Sequence, residues 1–81
     1  MNFWEKVQKD LKILIYPNPT RDSVTIESNQ VLGTIEILDL NGRQLISIAG
    51  DLQETISLDH LANGVYILRC KGKTERIVKQ P

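Results

Sequence analysis

Hydrophobic and polar positions alternate with period two along most of this chain, and turn residues cut the alternation roughly every eight to twelve positions. The strongest segment follows Asn63-Gly64, a turn signal because glycine accepts φ > 0 without steric cost. From Val65 to Cys70 the residues are mostly β-branched, aromatic or aliphatic, the composition of a strand. Tyr66, Leu68 and Cys70 fall on one face and suit a core, whereas Val65, Ile67, Arg69 and Lys71 fall on the other, which begins apolar and ends charged. The remaining short strands are expected to pack around this one.

In chain order, Phe3, Val7 and Leu11 recur at helical spacing, with Glu5, Lys6, Lys9 and Asp10 between them. Residues 1–11 are therefore expected to be a short amphipathic helix or a leader outside the fold; about ten residues make a marginal helix alone. Residues 12–81 read as the domain proper. The apolar run Ile13-Leu14-Ile15-Tyr16 is stopped by Pro17-Asn18-Pro19, whose prolines lack amide donors, so an edge strand that turns sharply is expected. Residues 22–28 alternate cleanly, with Val24 and Ile26 inward, and Val31 and Leu32 are expected to cap the core. In residues 34–40 the apolar phase slips from Ile35 and Ile37 to Leu38 and Leu40, which predicts a bulge or a strand covered on both sides. Asn41-Gly42 then predicts a type I′ hairpin into residues 43–49. Gly50-Asp51 breaks that strand, Ile56 and Leu58 point inward from the next, and Lys71-Gly72-Lys73 turns the chain into a last strand over residues 74–79. About seven short strands in this pattern predict an all-β antiparallel sandwich.

With 81 residues the chain is one small domain that buries roughly 60% of its unfolded surface, so its core is thin. Its few aromatics leave Ile, Leu and Val to build that core, with Tyr66 and Tyr16 expected inside. A formal net charge of zero argues against a nucleic-acid binder that relies on general phosphate attraction. The single cysteine, Cys70, makes no internal disulfide, and with the single histidine, His60, it is too little for a structural zinc site. The first residues lack the apolar core of an export signal, so the chain is expected to be a piece of a longer exported protein or else to stay inside the cell.

No catalytic constellation is legible. Cys70 lies mid-strand on the core face and reads as a small buried hydrophobe, and His60 reads as a solvated loop residue. Asp22, Asp39, Asp51 and Asp59 adjoin turns, where their side chains can bond backbone amides; no calcium-loop spacing and no glycine-rich phosphate loop is present. No cofactor or metal is expected. Lys71, Lys73, Arg76 and Lys79 crowd the end of the chain. They read as edge protection against sheet-to-sheet association, or as a docking surface for an acidic partner.

Four segments together resemble a known family: Tyr16-Pro17-Asn18-Pro19, the hairpin from Ile35 to Asn41-Gly42-Arg43, Leu61-Ala62-Asn63-Gly64-Val65-Tyr66-Ile67-Leu68-Arg69, and the closing Arg76-Ile77-Val78-Lys79. In this order the chain resembles the type A C-terminal sorting domain of type IX (Por) secretion cargo, over about residues 12–80. The resemblance implies an immunoglobulin-like sandwich at the end of an exported Bacteroidetes protein. Its implied partners are an N-terminally fused cargo, the outer-membrane translocon and a sortase-like cysteine peptidase that removes the domain, with cleavage ahead of Ile13. The implied route runs through the periplasm to the cell surface, and the domain is a label rather than an enzyme. Carried over residue by residue, Pro17, Asn18 and Pro19 shape the entry turn, Gly64 and Tyr66 set the central strand, and Lys71, Lys73, Arg76 and Lys79 are candidate translocon contacts. The alternatives are an extracellular binding module for carbohydrate or adhesion, and a unit that self-associates through its terminal strand.

Overall fold

The computed structural model describes residues 11–81, so the helix or leader expected over residues 1–11 lies, but for Leu11, outside the described residues. The strands are β1 (Ile13–Tyr16), β2 (Ser23–Ser28), β3 (Gly33–Leu38), β4 (Gln44–Gly50), β5 (Gln53–Ser57), β6 (Gly64–Cys70) and β7 (Lys73–Lys79). They form two antiparallel sheets, one ordered β1-β2-β5 and the other β4-β3-β6-β7. The connections β2–β3, β4–β5 and β5–β6 each pass from one sheet to the other, the strand order of an immunoglobulin-like sandwich.

The period-two faces meet as the alternation predicts. Val24 and Ile26 of β2 and Ile56 of β5 face Ile35 and Ile37 of β3, Tyr66, Leu68 and Cys70 of β6, and Ile77 of β7. Leu32 and Leu58 add to this core from the connections. Each such aliphatic side chain contributes about 1.5–3 kcal/mol by leaving water. β6 runs between β3 and β7 and supplies buried residues at three alternate positions, so it ties the four-stranded sheet to the core.

The phase slip in β3 is a true irregularity. Ile37 pairs with Ile46 but Leu38 pairs with Gln44, leaving Leu45 as the extra residue of a β-bulge. Leu38 lies opposite Ile67 and is buried, yet stands apart from the main core cluster. At the end of β4, Gly50 permits a close approach: a Cβ there would sit 2.7 Å from Cδ1 of the fully buried Ile35.

Three expectations need correction. The Asn41-Gly42 hairpin is not type I′, which requires φ > 0 at both central residues. Only Gly42 is left-handed; its N–H bonds the Asp39 carbonyl at 3.0 Å, and Asp39 N–H bonds the Arg43 carbonyl at 2.9 Å. This is a longer loop, a turn followed by a glycine bulge. The Asp39 carboxylate selects it by accepting the Arg43 and Asn41 amides, each at 2.9 Å. The type I′ geometry occurs instead at Lys71-Gly72, where both residues have positive φ between the paired Cys70 and Lys73. Tyr16 is not inside: it lies on the outer face of β1, 38% exposed, and donates its hydroxyl to Glu27. That hydrogen bond, with burial second, raises the phenol above its ordinary range. Val31 is exposed, and Leu32 alone closes that end of the core.

Tyr66 does more than fill space. Its ring is buried near the start of β6 and its hydroxyl donates to the Ala62 carbonyl four residues upstream. This is the tyrosine corner of immunoglobulin-like sandwiches, which fixes the chain where it enters the strand. Two predictions follow from these anchors. Tyr66→Phe keeps the ring and loses one hydrogen bond to a carbonyl that water can reach, costing about 1 kcal/mol; Tyr66→Ala also empties the core site and costs about 3–5 kcal/mol. Urea unfolding of both variants measures the difference. Arg43 and Asn41 hold the Asp39 carboxyl below its ordinary value of 3.8, the Arg43 backbone amide contributing most. A lowered folded pKa gives stability that is present above the unfolded value and lost as pH falls through the folded one. The stability advantage of the native chain over Asp39→Asn, followed by urea midpoints, is therefore present at neutral pH and shrinks as pH drops below the ordinary carboxylate range.

Candidate functional site

The candidate site is the seam where the segment that follows β1 meets the last strand. β1 pairs with β2 in the three-stranded sheet and then stops at Pro17. Both Tyr16-Pro17 and Asn18-Pro19 are cis. The chain crosses here to the other sheet and lies against β7. Neither proline has an N–H, so Asn18 is the one residue of residues 17–19 with amide donors. Its side chain acts as a detached peptide unit: Nδ2 donates to the Arg76 carbonyl at 2.7 Å and Oδ1 accepts the Val78 amide at 3.0 Å. Thr20 continues the ladder with its N–H on the Val78 carbonyl and its carbonyl on the Gln80 amide, both at 2.9 Å, in a parallel bridge to Lys79. The buried Thr20 hydroxyl donates to the Ser23 carbonyl at 2.5 Å, which fixes the turn into β2.

Pro17, Asn18 and Pro19 lie in the entry turn, and Asn18 also bonds β7, a contact that could not be read from the sequence. The one hint there was an amide side chain between two residues that cannot donate. Beyond the Asn18 contact the seam opens into a groove of about 300 Å³ between Ile13, Leu14 and Ile15 on one side and Lys73, Thr74 and Glu75 on the other, with Leu68 and Cys70 below.

The four basic residues do not form one patch. Lys71 sits at the tip of the β6–β7 turn and Lys73 follows it at the mouth of the groove, both exposed. Arg76 is exposed and lies opposite Ile67, on the outer face by alternation. Lys79 is half-buried, and its Nζ donates to the Leu61 carbonyl at 2.9 Å, bracing the segment that carries the tyrosine corner. Arg69 is paired with Glu36 through its Nε and Nη2, each at 3.1 Å. Lys71, Lys73 and Arg76 make no ion pair among the described residues.

Cys70 and His60 are not brought into a reactive arrangement. The Cys70 thiol is buried, lies 3.1 Å from the Leu32 carbonyl as a donor, and is pushed up by desolvation, the opposite of an activated nucleophile. His60 is exposed in the turn after β5. Of the turn aspartates, Asp39 bonds backbone amides through its carboxylate. Among the described residues no cluster of His, Cys, Asp and Glu has the makings of a metal site.

The family model described as secretion system C-terminal sorting domain matches residues 14–80. No curated protein and no solved structure matches the chain.

The Asn18 contact carries its own test. Asn18→Ala removes both side-chain hydrogen bonds to β7 and is expected to cost about 1–2 kcal/mol, each bond being worth about 0.5–1.5 kcal/mol net. Amide exchange at Val78 rises more than exchange in β3, because the loss is local. Equal acceleration throughout the sheet would show that Asn18 supports the whole fold instead.

Proposed function

We propose that this chain, which belongs to the secretion system C-terminal sorting domain family, is a folded address label read by the type IX outer-membrane translocon and then cut from its cargo. The family match over residues 14–80 is the observation that carries this reading. A label of this kind belongs to an exported protein that crosses the periplasm on its way to the cell surface. It acts through its finished surface and performs no chemistry of its own. The geometry is compatible with that role: the thiol is buried, and the β6–β7 hairpin presents exposed basic side chains.

The surface offered to the translocon is the β6–β7 hairpin, with Lys71, Lys73 and Arg76 as its contacts. Lys79, tied to Leu61, serves the fold in this reading. The sortase-like cysteine peptidase takes the chain as substrate ahead of Ile13. That position suits cleavage, since the cut leaves the β1–β2 ladder and the Asn18 contact whole.

The reading is tested by fusing residues 12–81 to the C-terminus of a periplasmic reporter in a type IX-competent host. The reporter is expected at the cell surface or in the medium, shortened by the mass of the domain. A reporter retained in the periplasm with the domain folded and attached would count against the proposal. Replacing Tyr66 by Ala in the same fusion should abolish export, because the label is read only when folded.

A further inference from the structure

The last strand is half covered. In an antiparallel pair, residues alternately turn both backbone groups toward the partner strand and away from it. Val78 turns its N–H and carbonyl away from β6, toward Asn18 and Thr20, and Arg76 does so with its carbonyl. By the same alternation Thr74 N–H, Thr74 carbonyl and Arg76 N–H point outward, and no hydrogen bond to them occurs among the described residues. The uncovered half-edge from Lys73 to Arg76 is about 13 Å long at a strand rise of about 3.3 Å per residue. It borders the groove, whose floor is Leu68 and Cys70.

We infer that this half-edge is a strand-addition site, at which an extended acidic segment of a partner continues the ladder that Asn18 and Thr20 begin. Residues 18–20 show what an added strand does here, since they already occupy the other half of the same edge. The charge selects the occupant. Within the groove Lys73 faces Glu75, so the balance there is even. The excess of positive charge comes from Lys71 at the turn and Arg76 on the outer face, all four residues being exposed. It is on that outer side and at the turn end that a strand with acidic side chains is attracted. A second copy of this chain would bring the same excess of positive charge to its own edge and is disfavoured. Backbone pairing supplies affinity, and the shallow apolar floor admits a side chain of the incoming strand. The inference rests on the sorting reading only in taking the partner to be part of the export machinery; the site itself is defined by the edge.

The test is a titration of the isotopically labelled chain with a six-residue peptide alternating glutamate and valine, followed by amide chemical shifts and hydrogen exchange. Thr74 and Arg76 amides are expected to shift and to gain protection. Lys73→Glu with Arg76→Glu, both exposed positions, should weaken binding about two- to thirtyfold, as expected for two exposed ion pairs. Thr74→Pro removes an outward donor and no ladder bond, and should abolish protection at Arg76 while shift dispersion reports an intact fold. Equal binding of a lysine–valine peptide, shifts confined to other strands, or no shift at millimolar peptide would overturn the inference. So would concentration-dependent dimerisation of the chain alone that protects the same amides. The reporter fusion separates the two readings: export without peptide binding removes the strand-addition site and leaves the label, whereas peptide binding at Thr74 without export does the reverse.

Discussion

The packing of Tyr66 at the entrance of β6 is the contact on which the rest depends. A thin aliphatic core gives a small domain little margin, commonly about 5–15 kcal/mol in total. β6 carries a disproportionate share of that margin, because its inner face is buried at Tyr66, Leu68 and Cys70 and its flanks pair with β3 and β7. Its register must therefore be fixed, since a slip of one residue would turn the whole inner face to solvent. The hydroxyl contact to Ala62 and the Lys79 contact to Leu61 hold the incoming chain from two sides. Both reach the connection just before Gly64, which is where register is decided.

The second requirement is closure. A two-sheet sandwich whose first strand belongs to one sheet and whose last belongs to the other has two edges facing each other across a seam. β1 and β7 are these edges. Side-chain and backbone bonds from residues 18 and 20 join them at one end, so the turn after β1 and the last strand become one structural unit. The consequence is cooperative: β7 cannot leave without exposing the groups that orient the entry turn. The uncovered stretch lies nearer the Lys71-Gly72 turn, in the part of the edge that Asn18 does not reach.

The strands were legible in the sequence because this core obeys simple alternation. Val24 and Ile26, Ile35 and Ile37, and Tyr66 and Leu68 each announce an inner face, and the slip at Leu38 announces the bulge. What stayed hidden was contact chemistry between distant segments. Asn18 and β7 lie far apart along the chain, and neither carries a pattern that points to the other. The turn at Asn41-Gly42 misled because local preference favours type I′ there, while the Asp39 carboxylate stabilises a longer loop by binding two amides. Tyr16 misled for a related reason: the ring is large and apolar, but Glu27 offers its hydroxyl a partner on the outer face. The basic residues near the end were visible as a group in the sequence, yet only the fold shows that Lys79 is engaged and that Lys71, Lys73 and Arg76 make no ion pair among the described residues.

Exposed strand edges are a hazard that proteins normally blunt with charge, proline or a covering segment. This chain uses all three along a single edge: prolines and Asn18 cover one half, and lysine and arginine guard the other. The two devices are not equivalent. A covering segment withdraws the backbone groups from any partner, whereas charge excludes only partners of like or neutral character and attracts those of opposite sign. A domain selected only for solubility gains nothing from leaving the second half to charge alone. In the proposed role of a label read after folding, a basic half-edge with no backbone partner among the described residues would resist self-pairing while staying open to an acidic strand.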